Sequence, residues 1–242
     1  MEKLLTTEEV RRRIDRDGER FWRFVDFRDL PSAAVAKALS RLAKVGHVQR
    51  LSKGIYYRGK STVFGQSRPN LTLLQGLAAE NSPMFPSGLA AASLLGFTTQ
   101  VARRSEVSTS ALSLPRKLVG QDTVVHTMRP TAWNQLSPKD AALLEFIRVR
   151  GQTSELSPNR TVDRLLTCLS ETGRFEALMK VAASEPPRVR AMLGAIGQQL
   201  AKPEDLLSSL RASLNPLSRF DFGVLYQLQH AKRWYARKPP RP

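Results

Sequence analysis

Lys37, Ser40, Arg41 and Lys44 recur at intervals of three and four residues, so a helix would carry them along one side. Ser32 and the small Ala33 and Ala34 stand at the start of the same stretch. A row of ammonium and guanidinium groups binds phosphates, and arginine can also bridge the O6 and N7 edge of guanine. A serine hydroxyl donates to either, and alanines let the backbone come close. A second basic group, Arg50, Ser52 and Lys53, follows within ten residues and suits phosphate contacts.

Other reactive side chains are scattered. His47, His126 and His230 lie far apart, and Cys168, the single cysteine, sits among Leu165, Leu166 and Leu169 as a buried, inert thiol would. With one cysteine there is neither an intramolecular disulfide nor a cysteine cluster for zinc. No glycine signature of a phosphate-cradling loop is present, and the carboxylates of residues 163–176 are spaced as helix-surface charges. We therefore expect no catalytic residues, no metal and no cofactor: the chain reads as a binding protein, not an enzyme.

The elements that must hold the basic row are legible around it. Thr6 or Thr7 is the expected cap of a first helix, with Glu8 and Glu9 in its first turn, running through Val10 and Ile14 towards Gly18. A short helix is expected over residues 25–30, broken by Pro31, with Ser32 as the cap of the next. That next helix, residues 33–45, has Val35, Leu39 and Leu42 in one narrow apolar arc flanked by Ala38 and Val45, opposite the basic row. Gly46 ends it. The period then falls from 3.6 to 2: residues 47–51 and 55–57 read as strands of a hairpin with Ser52-Lys53-Gly54 as its turn. Helix, short helix, turn, helix, hairpin is the order of a winged helix-turn-helix. In that fold helix 33–45 would enter the major groove and hairpin 47–57 would be the wing.

Composition agrees with a polyanionic partner. The 242 residues hold 38 Lys+Arg against 21 Asp+Glu, a formal net charge of +17, spread over both ends of the chain. With 41% hydrophobic and 24% charged residues the chain is ordinary globular material and not disordered throughout. The uncharged stretch 81–102 contains too many Pro, Ser, Thr, Asn and Gln residues for a membrane span, and no apolar signal-peptide core follows Glu2 and Lys3. A cytoplasmic location without membrane contact is expected.

Phe27-Arg28-Asp29-Leu30-Pro31-Ser32, then Ala38-Leu39-Ser40-Arg41-Leu42, then Lys53-Gly54-Ile55-Tyr56 resembles the N-terminal domain of AbiEi-type antitoxins. Pro86-Ser87-Gly88 with Ala90-Ala91 and Leu94-Leu95-Gly96 is similar to a second block of that family, so the likeness covers residues 20–130. The resemblance implies an antitoxin and transcriptional autorepressor of a type IV toxin–antitoxin, phage-defence operon. Its double-stranded DNA target would be inverted repeats in its own promoter. A nucleotidyltransferase-type toxin would be its counterpart, and such pairs need not form a stable complex. Pro31 in the turn, and Arg58-Gly59-Lys60 where relatives carry Pro-Lys, depart from the pattern.

The remaining chain is expected to be a linker at 61–70, an α+β domain at 71–238 and a frayed tail at 239–242, after a DNA-binding domain at 1–60. Helices are expected at 71–80 and 87–95, strands at 105–112 and 123–128, and a C-terminal helical bundle at 138–149, 161–172, 175–183, 187–200, 203–214 and 223–237. The fold class is thus α+β and mostly helical, a winged helix-turn-helix followed by a mixed domain with a small sheet. Two other readings stay open: a nucleic-acid- or protein-binding module whose basic C-terminal helices make the contact, and a stand-alone transcription factor.

Overall fold

A computed structural model describes residues 2–63, 65–67, 69–81 and 83–238. The chain is α+β and mostly helical, and its described sheets are small. It divides into two compact units, one of residues 1–81 with 113–121 and one of residues 82–112 with 122–242. The first unit therefore runs past the boundary expected at residue 60. The expected tail 239–242 lies outside the described residues.

In the first unit, α1 (Glu2–Asp17) is followed by β1 (Arg20–Arg23), a single 3-10 turn (Phe24–Phe27), α2 (Ser32–Lys44) and the strands β2 (Gln49–Ser52) and β3 (Ile55–Arg58). β3 is the middle strand, antiparallel to both β1 and β2. Covered on both sides, Ile55, Tyr56 and Tyr57 are all buried, whereas the edge strand β2 exposes Gln49 and Arg50. Val35, Ala38, Leu39 and Leu42 of α2 pack on Val10 and Ile14 of α1, on Trp22 and Phe27, and on Val48 and Tyr56. This is the apolar arc that the sequence pattern placed there.

Several local expectations are corrected. α1 begins at Glu2, so Thr6 and Thr7 are helical residues and no cap; Thr6 is buried. β1 lies in the stretch between the first two expected helices, to which no element was assigned, and it brings Trp22 onto Phe27 with ring centroids 5.3 Å apart. The short helix at 25–30 is a 3-10 turn over Phe24–Phe27. Pro31, not Ser32, occupies the cap position of α2: its carbonyl accepts from the N–H groups of Ala34 and Val35, and Ser32 is the first helical residue. The far end of α2 closes as expected. Gly46 has φ +72°, its N–H donates to Ala43 O and that of His47 to Leu42 O, the pair of bonds that satisfies a helix's last carbonyls.

The hairpin turn is Lys53-Gly54, with Gly54 at φ +76° under the Phe24 ring. The stretch expected as a linker holds a second, two-residue-strand hairpin, β4 (Ser61–Thr62) with β5 (Gly65–Gln66). α3 (Leu71–Asn81) completes the unit together with α5 (Arg116–Val119), which packs on α3 and on β2.

In the second unit β6 (Met84–Pro86), β7 (Glu106–Thr109) and β8 (Val124–His126) form a sheet in that order, the last pair parallel. α4 (Gly88–Leu94) and α6 (Pro138–Arg148), α7 (Pro158–Ser170), α8 (Arg174–Val181), α9 (Pro187–Gln199) and α10 (Glu204–Ala212) supply the rest. Ser137 caps α6 by accepting from the Asp140 N–H, as its Ser-Pro-x-Asp start implies. The helix expected at 223–237 is instead two 3-10 turns, Gly223–Gln227 and Ala231–Trp234. Leu225, Leu228, Ala231 and Trp234 are all buried, and their spacing of three is the period of a 3-10 helix. The Trp234 indole lies against Gly194, where a Cβ would stand 2.2 Å from the ring. Among the described residues no helix is long and apolar enough to cross a membrane.

Candidate nucleic-acid interface

The apolar arc of α2 is turned inward, so its opposite side faces out. Ser32, Ala33, Lys37, Arg41 and Lys44 are exposed and Ala34 and Ser40 half-buried; on the hairpin Arg50 and Lys53 are exposed and Ser52 half-buried. Pro31, Ala33, Ala34, Lys37 and Arg41 border a hollow of about 250 Å³, closed on one side by Thr6 and Thr7 of α1. Its floor is small and apolar and its rim cationic. Arg50 borders a second hollow, with Gln49, Gly46 and Lys117. Ser32, Ser40, Lys44, Ser52 and Lys53 line neither. Sequence reading missed Thr6 and Thr7, which looked like a cap, and Lys117, whose place beside β2 depends on a contact 67 residues along the chain.

Charge is sorted within this unit. The arginines of α1 are matched by acids: Arg11 with Asp15 at 3.6 Å, Arg12 with Glu9 at 2.6 Å, and Arg13 with both Glu9 at 2.8 Å and Asp29 at 2.5 Å. Arg16 pairs with Asp17, Arg20 with Asp17 and Asp26, and Arg58 with Asp15. The Arg13 guanidinium holds the Asp29 carboxyl down at about 2 and keeps that of Glu9 below its ordinary value. Lys37, Arg41, Lys44, Arg50 and Lys53 have no such partner among the described residues. The reason is written in the chain: between Asp29 and Glu80 there is no Asp or Glu, while eight Lys and Arg occur there. That acid-free run is the sequence signal for the surface.

The Arg13–Asp29 pair also positions α2. It ties α1 to the segment just before Pro31, so the start of α2 is held against the first helix. The first turn of α2 contains no acid and no side-chain cap. The positive end of its dipole therefore stays uncompensated and favours an anion. On the far side of the sheet, Tyr57 donates its hydroxyl to Glu19, which also accepts from Ser67 Oγ at 2.7 Å. Burial, reinforced by that carboxylate, pushes the Tyr57 hydroxyl above its ordinary value.

In the second unit the reactive side chains are tied into the fold. Buried Glu145 pairs with Arg129 at 2.5 Å, and buried Glu185 binds Arg148 at 2.7 Å and accepts from the Trp133 indole N–H at 2.7 Å. Cys168 is buried, and burial pushes its thiol above the usual range. Among the described residues no group of three or more His, Cys, Asp and Glu side chains could hold a metal ion.

No protein-family profile matches the chain, and no curated protein does. Among solved structures it is similar to the crystal structure of the RV2827C protein from Mycobacterium tuberculosis. The sequence identity is 15%, the match covers 91% of this chain and 84% of that one, and the TM-score is 0.44.

Proposed function

We propose that the first unit is a winged helix-turn-helix that binds double-stranded DNA, with α2 in the major groove and the β2–β3 hairpin as wing. One observation carries the reading: every cation of α1 from Arg11 to Arg16 is neutralised by an acid, whereas those on the outer side of α2 and on the hairpin have none among the described residues. Holding five like charges unpaired is unfavourable for the isolated protein and favourable on a phosphate lattice. The element order and the β1–β3–β2 sheet support the same fold. Small Ala33 and Ala34 let the uncapped start of α2 approach base edges. Lys37, Ser40 and Arg41 then read or grip the groove, and Lys44, Arg50, Ser52 and Lys53 meet phosphates.

With the AbiEi-type resemblance, this makes the chain the antitoxin and autorepressor of a type IV toxin–antitoxin operon, acting on inverted repeats in its own promoter. The test is a gel-shift of the full chain on the DNA upstream of its own gene, against a scrambled duplex. The upstream duplex should bind more tightly, and Arg41→Ala should remove about 1–3 kcal/mol of that preference. Equal binding to both duplexes refutes sequence-specific repression. A nucleotidyltransferase-like gene next to this one, whose toxicity this chain relieves, is the outcome expected of the antitoxin role.

A further inference from the structure

Residues 113–121 fold with the first unit although 31 residues of the second precede them. The anchor is apolar: Leu118 and Val119 of α5 are buried, as is Leu114 just before it, and α5 packs on α3 and β2. That anchoring leaves Lys117 exposed on the outer side of α5. Its Nζ donates to the Arg50 carbonyl oxygen at 3.2 Å, which pins the ammonium group at the edge of β2.

Ala43, Gly46, Val48, Gln49, Arg50 and Lys117 enclose an open hollow of about 400 Å³ at that place. Its polar side chains are an amide, a guanidinium and an ammonium, and no carboxylate is among the described residues that line it. Near the end of α2 the carbonyls of Leu42 and Ala43 already accept from the N–H groups of His47 and Gly46. A hollow with bound-in donors and no anionic group of its own fits an anion. Next to a helix and hairpin with unpaired cations, a backbone phosphate of the same duplex is the fitting one.

We propose that Lys117, with Arg50 and Gln49, holds a backbone phosphate of the bound DNA. The interface would then extend beyond the winged helix to a segment inserted from later in the chain. The proposal rests on the DNA-binding reading and deepens it. Lys117 positions the duplex and carries no sequence information, so its loss should weaken all sequences alike.

The experiment is a fluorescence-anisotropy titration of the full chain on two labelled 24-bp duplexes, the upstream sequence and a scrambled one, at 50 to 300 mM monovalent salt. Losing one phosphate contact lowers the magnitude of the log–log salt slope by about 0.9, which at 100 mM salt is about an eightfold loss of affinity. Lys117→Ala should show both changes, equally on both duplexes. Lys117→Arg should restore them, and Lys180→Ala, which removes an exposed charge of the second unit, should change neither. Wild-type binding with an unaltered slope in Lys117→Ala overturns the proposal and leaves the DNA reading standing. A wild-type chain that binds neither duplex at 50 mM salt overturns both.

Discussion

Packing and the proposed DNA contact use opposite sides of α2, so two substitutions two residues apart should separate them. Leu39 is fully buried among Val10, Ile14, Trp22 and Tyr56. Leu39→Ala removes its side chain beyond Cβ and leaves a cavity that the neighbouring helix and sheet can close only in part. Such changes cost about 3 kcal/mol, within a usual span of about 2–5. In a unit of about 90 residues, each kcal/mol moves the melting midpoint by about 4–8 °C, so the transition should fall by about 12–24 °C. Lys37 is exposed and pairs with no acid among the described residues, so Lys37→Ala should move the midpoint by less than about 4 °C, the size of a surface substitution. Binding measured well below both midpoints should show the reverse order. Leu39→Ala should bind the upstream duplex almost as wild type does, because the molecules that remain folded keep the outer side of α2. Lys37→Ala should lose about 1–3 kcal/mol of affinity. Differential scanning calorimetry and anisotropy on the same preparations give both readouts. A Leu39→Ala midpoint within 3 °C of wild type would refute the packing of α2, and unaltered binding by Lys37→Ala would refute its role as a contact.

Two further outcomes follow from the ties within each unit. Asp29 has its folded value lowered from 3.8 to about 2 by Arg13; a lowered carboxyl stabilises the fold above its unfolded value and loses that contribution as pH falls through the folded one. The stability difference between wild type and Asp29→Asn should therefore be constant above about pH 4 and shrink between about pH 4 and 2, in urea titrations at stepped pH. A difference that persists at pH 2 contradicts the pairing. In the second unit, Gly194→Ala drives a methyl group into the Trp234 ring and should cost about 1–3 kcal/mol. The cost should shrink in the background of Trp234→Leu, read as a coupling energy from denaturant midpoints; strict additivity would rule out the contact.

The parts of the fold that could be read from the chain were the local ones. The apolar arc of α2, the closing Gly46, the turn at Lys53-Gly54 (expected one residue longer, with Ser52, which belongs to β2) and the helix start at Ser137 each depend on residues within a few positions of one another. β1 escaped because four residues with Arg20 and Arg23 at their ends give no alternation to read, and only pairing with β3 makes them a strand. Leu225, Leu228, Ala231 and Trp234 are also compatible with an α-helix on one face; their true period of three is settled by burial of all four, which no local pattern reports. On the outer side of α2 and the hairpin, residue type and spacing predicted that Lys37, Arg41, Lys44, Arg50 and Lys53 would be exposed, and they are. Lys117 was illegible, because α5 reaches β2 only through an excursion of the chain into the other unit and back.

Ala33→Glu tests the central claim most directly, because fold and function should respond with opposite signs. The side chain is exposed in the first turn of α2, where no acid now stands. A carboxylate there complements the helix dipole and should leave stability unchanged or raise it by up to about 1 kcal/mol, a rise in the melting midpoint of up to about 4–8 °C. The same carboxylate would face phosphates and base edges at the closest point of approach, and anisotropy on the upstream duplex should show binding weakened at least about thirtyfold, like charges at such a contact costing several kcal/mol. A variant that melts at or above the wild-type temperature and still binds that duplex with wild-type affinity would show that α2 does not enter the DNA.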